Sequence, residues 1–523
     1  RWFGAVAGWH AGSLLLLMPL TGTLGLLALP DVPMALATLL CLDAGARLLQ
    51  RVDAGAALEL AIGLAIGALS HYRFLAVIGI GLVAFLLLPQ GRRVLRDPRV
   101  WIALAFGVAA WAPLLAWNLD NAEAGLRFQL QDRHPWRFHW SGGWFLLVQA
   151  LLVTPLLFVA LIQTFLHAWR TTDDDAQWRY FGLLGGVSTL GFFVLGFFAD
   201  DERVSFHWPL PGYLALLAAV PIVLRSWPRG WRLATWWLAG IGLAGAFGYY
   251  LLAATPTLRA RFAAEKFHPG NFAGWDAAAA AVRAQHARMP PGTRLVVDNF
   301  KLGAQLGFAL DDPDIAVLPH AANRQHGRAA QLQLWGLEHA RRETLGGAPL
   351  LLVVGASEVE FKHLLQRYRE ICASVGPLPP ARVVQTDHGR QRFLLFALPA
   401  GPRAAGPCTL PAMAWLDAPV VGSSVERRFS VRGWAFRDGV GLRGVEITLD
   451  GKPVALARYG LPQPGLAFWW GGSTDPNHPR VGFAATVDAD ASRITPGRHW
   501  LGLRLQGSDG AIETWPEQPV TIR

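Results

Sequence analysis

Apolar residues dominate the first half of the chain in runs of 15 to 25 positions, each separated from the next by a short polar turn. Such runs match the length of membrane-crossing helices, which need roughly 17 to 25 residues, or somewhat fewer where helices are buried among others. Nine candidate spans follow from the pattern, at about 2–20, 33–49, 54–70, 74–88, 100–117, 143–167, 180–198, 208–224 and 233–253. After residue 254 the pattern changes to short apolar runs alternating with helical periodicity: TRLVVDNF, DIAVLP, PLLLVVG, ARVVQTD and RFLLFAL read as strands, and AGWDAAAAAVRAQHARM, RAAQLQLWGLEHARR and SEVEFKHLLQRYREI as helices. An α/β domain over 255–400 is expected from that alternation. A Pro/Gly/Ala stretch at 401–418 reads as a linker. The remaining segment, 419–523, alternates at period 2 between Gly and Asp turns, which predicts a β-sandwich of immunoglobulin type.

Composition agrees with a polytopic α-helical membrane domain at 1–254: 52% of the 523 residues are hydrophobic, 16% are charged, and there are 23 Trp. The net charge of +10 comes mostly from Arg spread between apolar runs, not clustered on one stripe, so a nucleic-acid partner is not expected. Membrane lipids are. Arg placement also sets an orientation, because short cytoplasmic loops are enriched in Arg and Lys. One alternating set of loops carries eleven Arg (47, 51, 92, 93, 96, 99, 170, 179, 225, 229, 232) and the other five (73, 127, 133, 137, 203). The eleven-Arg side is read as cytoplasmic, which puts the C-terminal half on the extracytoplasmic side. Cys372 and Cys408 both lie in that half and form a candidate disulfide, with two free thiols as the alternative. The chain opens on Arg1 with neither Met nor a signal peptide, and reads as lacking its natural N-terminus.

The turns assigned to the outer face hold the candidate chemistry. Asp31 sits between Pro30 and Pro33 at a span mouth, where a carboxylate is costly unless it pairs, binds a cation or caps a helix. The turn LSHYRF puts His71, Tyr72 and Arg73 between two apolar helices; three donors suit a phosphate, and interfacial anchoring is the alternative. The stretch PLLAWNLDNAEAGLRFQLQDRHPWRFHW adds Asn118, Arg127, Gln129, Arg133 and Arg137, and FADDERVSFHWPLPGY adds Asp200, Asp201, His207 and Trp208. Any one Trp here also fits an interfacial belt. Together they describe a site for an anionic, lipid-borne headgroup, with His71, Tyr72, Arg73, Arg127, Arg133 and His207 toward its phosphate and Asn118, Gln129, Asp200, Asp201 and Trp208 as wall. No P-loop, GxSxG, HExxH or zinc-type Cys/His spacing occurs, and no cofactor is implied; a divalent metal stays open.

In this order, LPDVPMAL, LSHYRFLA, PLLAWNLDNAEAGLRFQ and HWPLPGY resemble the GT-C membrane glycosyltransferases of the protein mannosyltransferase and aminoarabinose transferase type, of the bacterial family 39 and 83 branch. The resemblance covers about residues 1–255 and continues more weakly through VVDNFKLGAQLGFAL and NRQHGRAAQLQLW. It implies inverting transfer of a sugar from a polyprenyl-phosphate donor to a lipid, glycan or protein acceptor at the periplasmic face of a bacterial inner membrane, with the C-terminal domains in the periplasm. Two positions depart from the family. Where a Lys often precedes the Tyr, this chain has His71, with Arg73 two residues on. The family's catalytic Asp falls in a first periplasmic loop ahead of Arg1, so Asp31 corresponds to a recurrent Pro-Asp near the site, a site acid and not the expected base. Two other classes remain at this stage: a lipid-linked sugar flippase or transporter, and a membrane-anchored glycan-binding module using Trp469 and Trp470. No repeat supports the former, and packing of those rings competes with the latter.

Overall fold

The computed structural model describes residues 2–27, 29–121, 124–128, 136–171, 176–198 and 206–523, in two compact units, Arg1–Tyr250 and Leu251–Arg523. The first unit is helical among its described residues. Four helices are long and apolar enough to cross a membrane: Asp31–Gln50, Pro98–Asp120, Ala176–Gly196 and Arg229–Ala254. A bent pair, Trp140–Val153 with Pro155–Arg170, adds at most a fifth span, and Ala5–Leu17, Ala54–Ser70 and Phe74–Leu87 are shorter apolar helices.

Proline explains why several expected spans are broken. A Pro within a helix lacks an N–H and pushes the preceding residue out of the α region. The run read as one span at 143–167 bends by 108° at Thr154, which precedes Pro155 and has φ of 77°. The run at 208–224 divides into Leu210–Leu217 and Val220–Arg225, with Pro221 in the first turn of the latter, and the first run stops at Leu17 ahead of Pro19.

Small residues set how closely the helices approach. Asp31–Gln50 packs on Ala54–Ser70, where a Cβ at Gly63 would lie 2.8 Å from Cys41 Sγ. At Gly67 a Cβ would lie 2.1 Å from the ring of Phe74, which is fully buried. Gly67 therefore gives Phe74 its place and pins the turn between the two helices. Likewise, a Cβ at Gly212 would lie 2.5 Å from Thr189 Oγ1, so Leu210–Leu217 sinks deep against Ala176–Gly196.

The second unit contains β1 (Arg294–Val297), β2 (Ala316–Val317), β3 (Leu350–Gly355), β4 (Arg382–Thr386) and β5 (Gln391–Leu398) in one sheet of order β2-β1-β3-β5-β4. β1 pairs in parallel with β2 and β3, while β5 is antiparallel to β3 and β4. Every residue of β3 is buried, as a central strand covered on both faces must be. Helices Trp275–His286, Phe300–Leu310 and Phe361–Val375 accompany the sheet. Two expectations are corrected here. The helix expected over RAAQLQLWGLEHARR is limited to Ala329–Leu334, because Gly336 turns the chain at φ of 67° and Glu338 then bridges to Val317. Within the expected 401–418 linker, β6 (Met413–Ala418) is a strand and pairs with the sheet beyond it.

That remaining region is β-rich. β7 (Ser424–Val425), β8 (Arg428–Phe436), β9 (Leu442–Leu449), β10 (Lys452–Leu456), β11 (Arg458–Leu461), β12 (Gly482–Asp488), β13 (Gly497–Gly507) and β14 (Ile512–Ile522) join β6 in two sheets, β10-β9-β13-β14-β7 and β11-β12-β8-β6. Inward residues of both sheets, among them Val431, Val445, Ile447, Phe483 and Leu503, share one buried cluster that continues to Tyr368 and Phe396 of the preceding sheet region. Cys372 and Cys408 are joined as a disulfide, tying the end of Phe361–Val375 to the segment that leads into β6.

Candidate functional site

Asp31 opens the helix Asp31–Gln50 and is 1% exposed, yet its side chain does not cap that helix. The capping alternative is thereby replaced by a tertiary ion pair. Arg73, held by the pinned turn before Phe74, donates through Nη2 to Asp31 Oδ1 at 3.0 Å and Oδ2 at 3.1 Å. His207 Nε2 stands 3.2 Å from Asp31 Oδ2 and 3.4 Å from Arg73 Nη2. The Arg73 guanidinium also lies 5.3 Å from the ring centroid of Trp208, a cation–π distance. Three turns far apart in sequence thus meet in a buried acid, cation and imidazole beside an indole.

The capacity of this arrangement lies in what Arg73 has left. Its Nε and Nη1 are buried and find no acceptor among the described residues. Buried polar groups are nearly always satisfied, those of a cation most of all. A guanidinium held by one nitrogen with two others unspent is suited to receive an oxyanion. Both carboxylate oxygens of Asp31 are engaged, so the acid orients Arg73 and His207.

Around this core the other predicted residues divide. His71 Nδ1 accepts from the Arg73 backbone N–H at 3.0 Å and so shapes the turn. Asn118 Nδ2 donates to Tyr72 Oη at 2.9 Å, and its Oδ1 accepts from Leu126 N–H at 2.9 Å. The turn Ala124–Arg127 is fastened beside Tyr72 by these bonds, which brings Arg127 to the same neighbourhood. Gln129, Arg133, Asp200 and Asp201 lie outside the described residues. Among the described residues no three His, Cys, Asp or Glu side chains group as a metal ligand set.

Sequence reasoning missed Gln149. It is fully buried in an apolar helix, donates to Phe206 O at 2.8 Å and accepts from Tyr213 Oη at 2.9 Å. These bonds hold the backbone immediately before His207. The available signal was an amide in the otherwise apolar run FLLVQALLV.

Apolar, membrane-length helices thus carry a buried acid, cation and imidazole at their turns. Comparisons with known proteins show what the chain is similar to. The family described as Dolichyl-phosphate-mannose-protein mannosyltransferase matches residues 1–117. Lipid A galacturonosyltransferase RgtD of Rhizobium johnstonii is 29% identical over 196 residues, which is 36% of this chain and 39% of that protein. Both matches are to glycosyltransferases, each over part of this chain. The chain is matched over about two-fifths of the relative's length. Among solved structures, the fibronectin(III)-like modules of Clostridium thermocellum CbhA align with 21% of this chain and 94% of theirs, at 19% identity and a TM-score of 0.14, too low to define a shared fold.

Proposed function

We propose that the chain transfers a sugar from a polyprenyl-phosphate donor to a periplasmic or lipid-linked acceptor at the outer face of the inner membrane, with inversion at the anomeric carbon. What supports this reading is the pair of buried nitrogens on Arg73, beside Asp31 and His207, that find no acceptor among the described residues. A phosphate anchored by a lipid tail brings an oxyanion to the turns where these nitrogens lie. The acceptor oxygen attacks C1, the C1–O bond to phosphate breaks, and its electron pair leaves with polyprenyl phosphate while a base takes the acceptor proton. Arg73 then binds the group on which charge increases, where a preorganised cation in a dry site is most effective. In this reading His207 and Asp31 are positioning residues, and the base is not assigned to Asp31. The matched family's description names a dolichyl-phosphate donor, and the relative's name a lipid acceptor and a uronic acid.

The test uses membranes carrying the full-length protein with polyprenyl-phosphate mannose and polyprenyl-phosphate galacturonic acid as donors and lipid A as acceptor. Release of polyprenyl phosphate from one donor is expected. Loss of one transition-state cation contact should lower turnover by about 100-fold in Arg73→Ala, with partial recovery in Arg73→Lys. Undiminished turnover in the combined Asp31→Ala, Arg73→Ala, His207→Ala variant would sink the site.

A further inference from the structure

In the second unit a cleft of about 850 Å³ opens between the helix Phe300–Leu310 and the helix Ala329–Leu334, next to the edge strand β2. Val317 and Leu332 supply apolar lining. Each helix region contributes one large ring: Phe308 is 92% exposed and Trp335 66% exposed. Aromatic surface left in water on two sides of a single cleft marks a binding surface more than a packing defect.

The polar lining narrows the class of ligand. Arg328, Gln331 and Trp335 follow at intervals of three and four, which places them on one face of a helical turn. The Arg328 guanidinium and the Gln331 amide make no side-chain hydrogen bond or ion pair among the described residues. Asp311, Asp312 and Asp314 also line the cleft, and Asp312 Oδ1 accepts from Asp314 N–H at 3.0 Å. Three carboxylates against one guanidinium disfavour a phosphate or a uronate and accept hydroxyl or ammonium donors. A hydrocarbon chain has no use for these groups. A sugar ring offers an apolar C–H face for each aromatic and hydroxyls for the amide, guanidinium and carboxylates.

We propose that this cleft binds neutral or amino-sugar units of a glycan, stacked on Trp335 and Phe308 and hydrogen-bonded by Arg328, Gln331 and the Asp312 region. The assignment does not rest on the transferase reading, since it is read by binding and not by turnover.

The experiment measures saturation-transfer NMR and titration of the detergent-solubilised full chain with cellohexaose, a chitosan hexamer and a galacturonate hexamer. Cellohexaose or the chitosan hexamer is expected to bind, and the galacturonate hexamer to bind more weakly. Loss of one stacking ring should weaken binding by about tenfold in Trp335→Ala and in Phe308→Ala. Both rings are exposed, so thermal unfolding of these variants should match the parent. No binding of either non-acidic hexamer, preference for the galacturonate hexamer, or retention of binding in Trp335→Ala would overturn the proposal. So would loss of binding in Trp469→Ala, because Trp469 is 83% exposed on the β-rich region and would then be the true platform.

Discussion

Arg73 and Asp31 are 42 positions apart and nearly enclosed, so their interaction is of the kind where removing one partner costs most. Breaking a buried pair strands the other charge and costs about 3–5 kcal/mol, whereas replacing both partners by apolar groups is much milder. Asp31→Ala should therefore lower the thermal unfolding temperature of the detergent-solubilised protein more than the double variant Asp31→Ala, Arg73→Met does. Equal destabilisation of the two would show that Arg73 is not held by the acid. A second single-residue effect belongs to His320. Burial is the main cause holding its pKa below the ordinary imidazole value; Arg367 acts in the same direction, and Asp298, Glu370 and Glu358 oppose it. A depressed folded pKa means that the contribution to stability is present above about pH 6.5 and is lost as pH falls below it. His320 also caps Ala321–Gln325 by accepting from Ala322 N–H at 2.9 Å, a role Asn can fill. His320→Asn should lose less unfolding temperature between pH 7.5 and 5.5 than the parent, and an identical loss would remove His320 from the account of acid sensitivity.

At the scale of elements, the site depends on a contact that touches no substrate. Gly67 leaves the space that the Phe74 ring fills, and Phe74 follows Arg73 directly. Overpacking by one methyl costs roughly 1–3 kcal/mol, and here the displaced ring would drag the turn away from Asp31. Gly67→Ala should reduce transfer with kcat affected more than KM for the acceptor, and restoring room with Gly67→Ala, Phe74→Leu should recover part of it. Unchanged kinetics in Gly67→Ala would separate the turn from its packing. This element was half legible in the sequence. LSHYRF stood out as donors between two apolar runs, since length and polarity alone mark such a turn. Its partner did not, because nothing local in LPDVPMAL distinguishes a helix cap from one half of a tertiary ion pair. Helix breaks were equally hidden: Thr154–Pro155 sits inside a continuous apolar run, and hydropathy averages over the proline that bends it by 108°. In the second unit, period and Gly turns were enough to read most strands, while the end of Ala329–Leu334 hangs on the left-handed turn at Gly336 and on pairing with Val317, which only the fold supplies. Gln149 escaped because its meaning comes from Phe206 and Tyr213, 57 and 64 positions away.

For the molecule as a whole, the proposed chemistry requires that the Asp31, Arg73 and His207 turns face the periplasm. The argument for that orientation is a sequence expectation: if the nine expected spans all cross, their alternating loops carry eleven Arg against five, and short Arg-rich loops favour the cytoplasm. Two glycines allow a direct reading, because a Cβ at Gly143 or at Gly230 meets nothing within 4 Å. Gly143 follows the PWRFHW loop assigned to the outer face, and Gly230 lies between Arg229 and Arg232 on the arginine-rich side. With Cys41 replaced by Ala and the Cys372–Cys408 bond left intact, Gly143→Cys should react with a membrane-impermeant maleimide on cells with a permeabilised outer membrane. Gly230→Cys should react only after the inner membrane is opened. The opposite pattern would put Arg73 on the cytoplasmic face. A donor would then have to be sought among cytoplasmic sugar carriers, so this labelling decides between two chemistries before any sugar is tested.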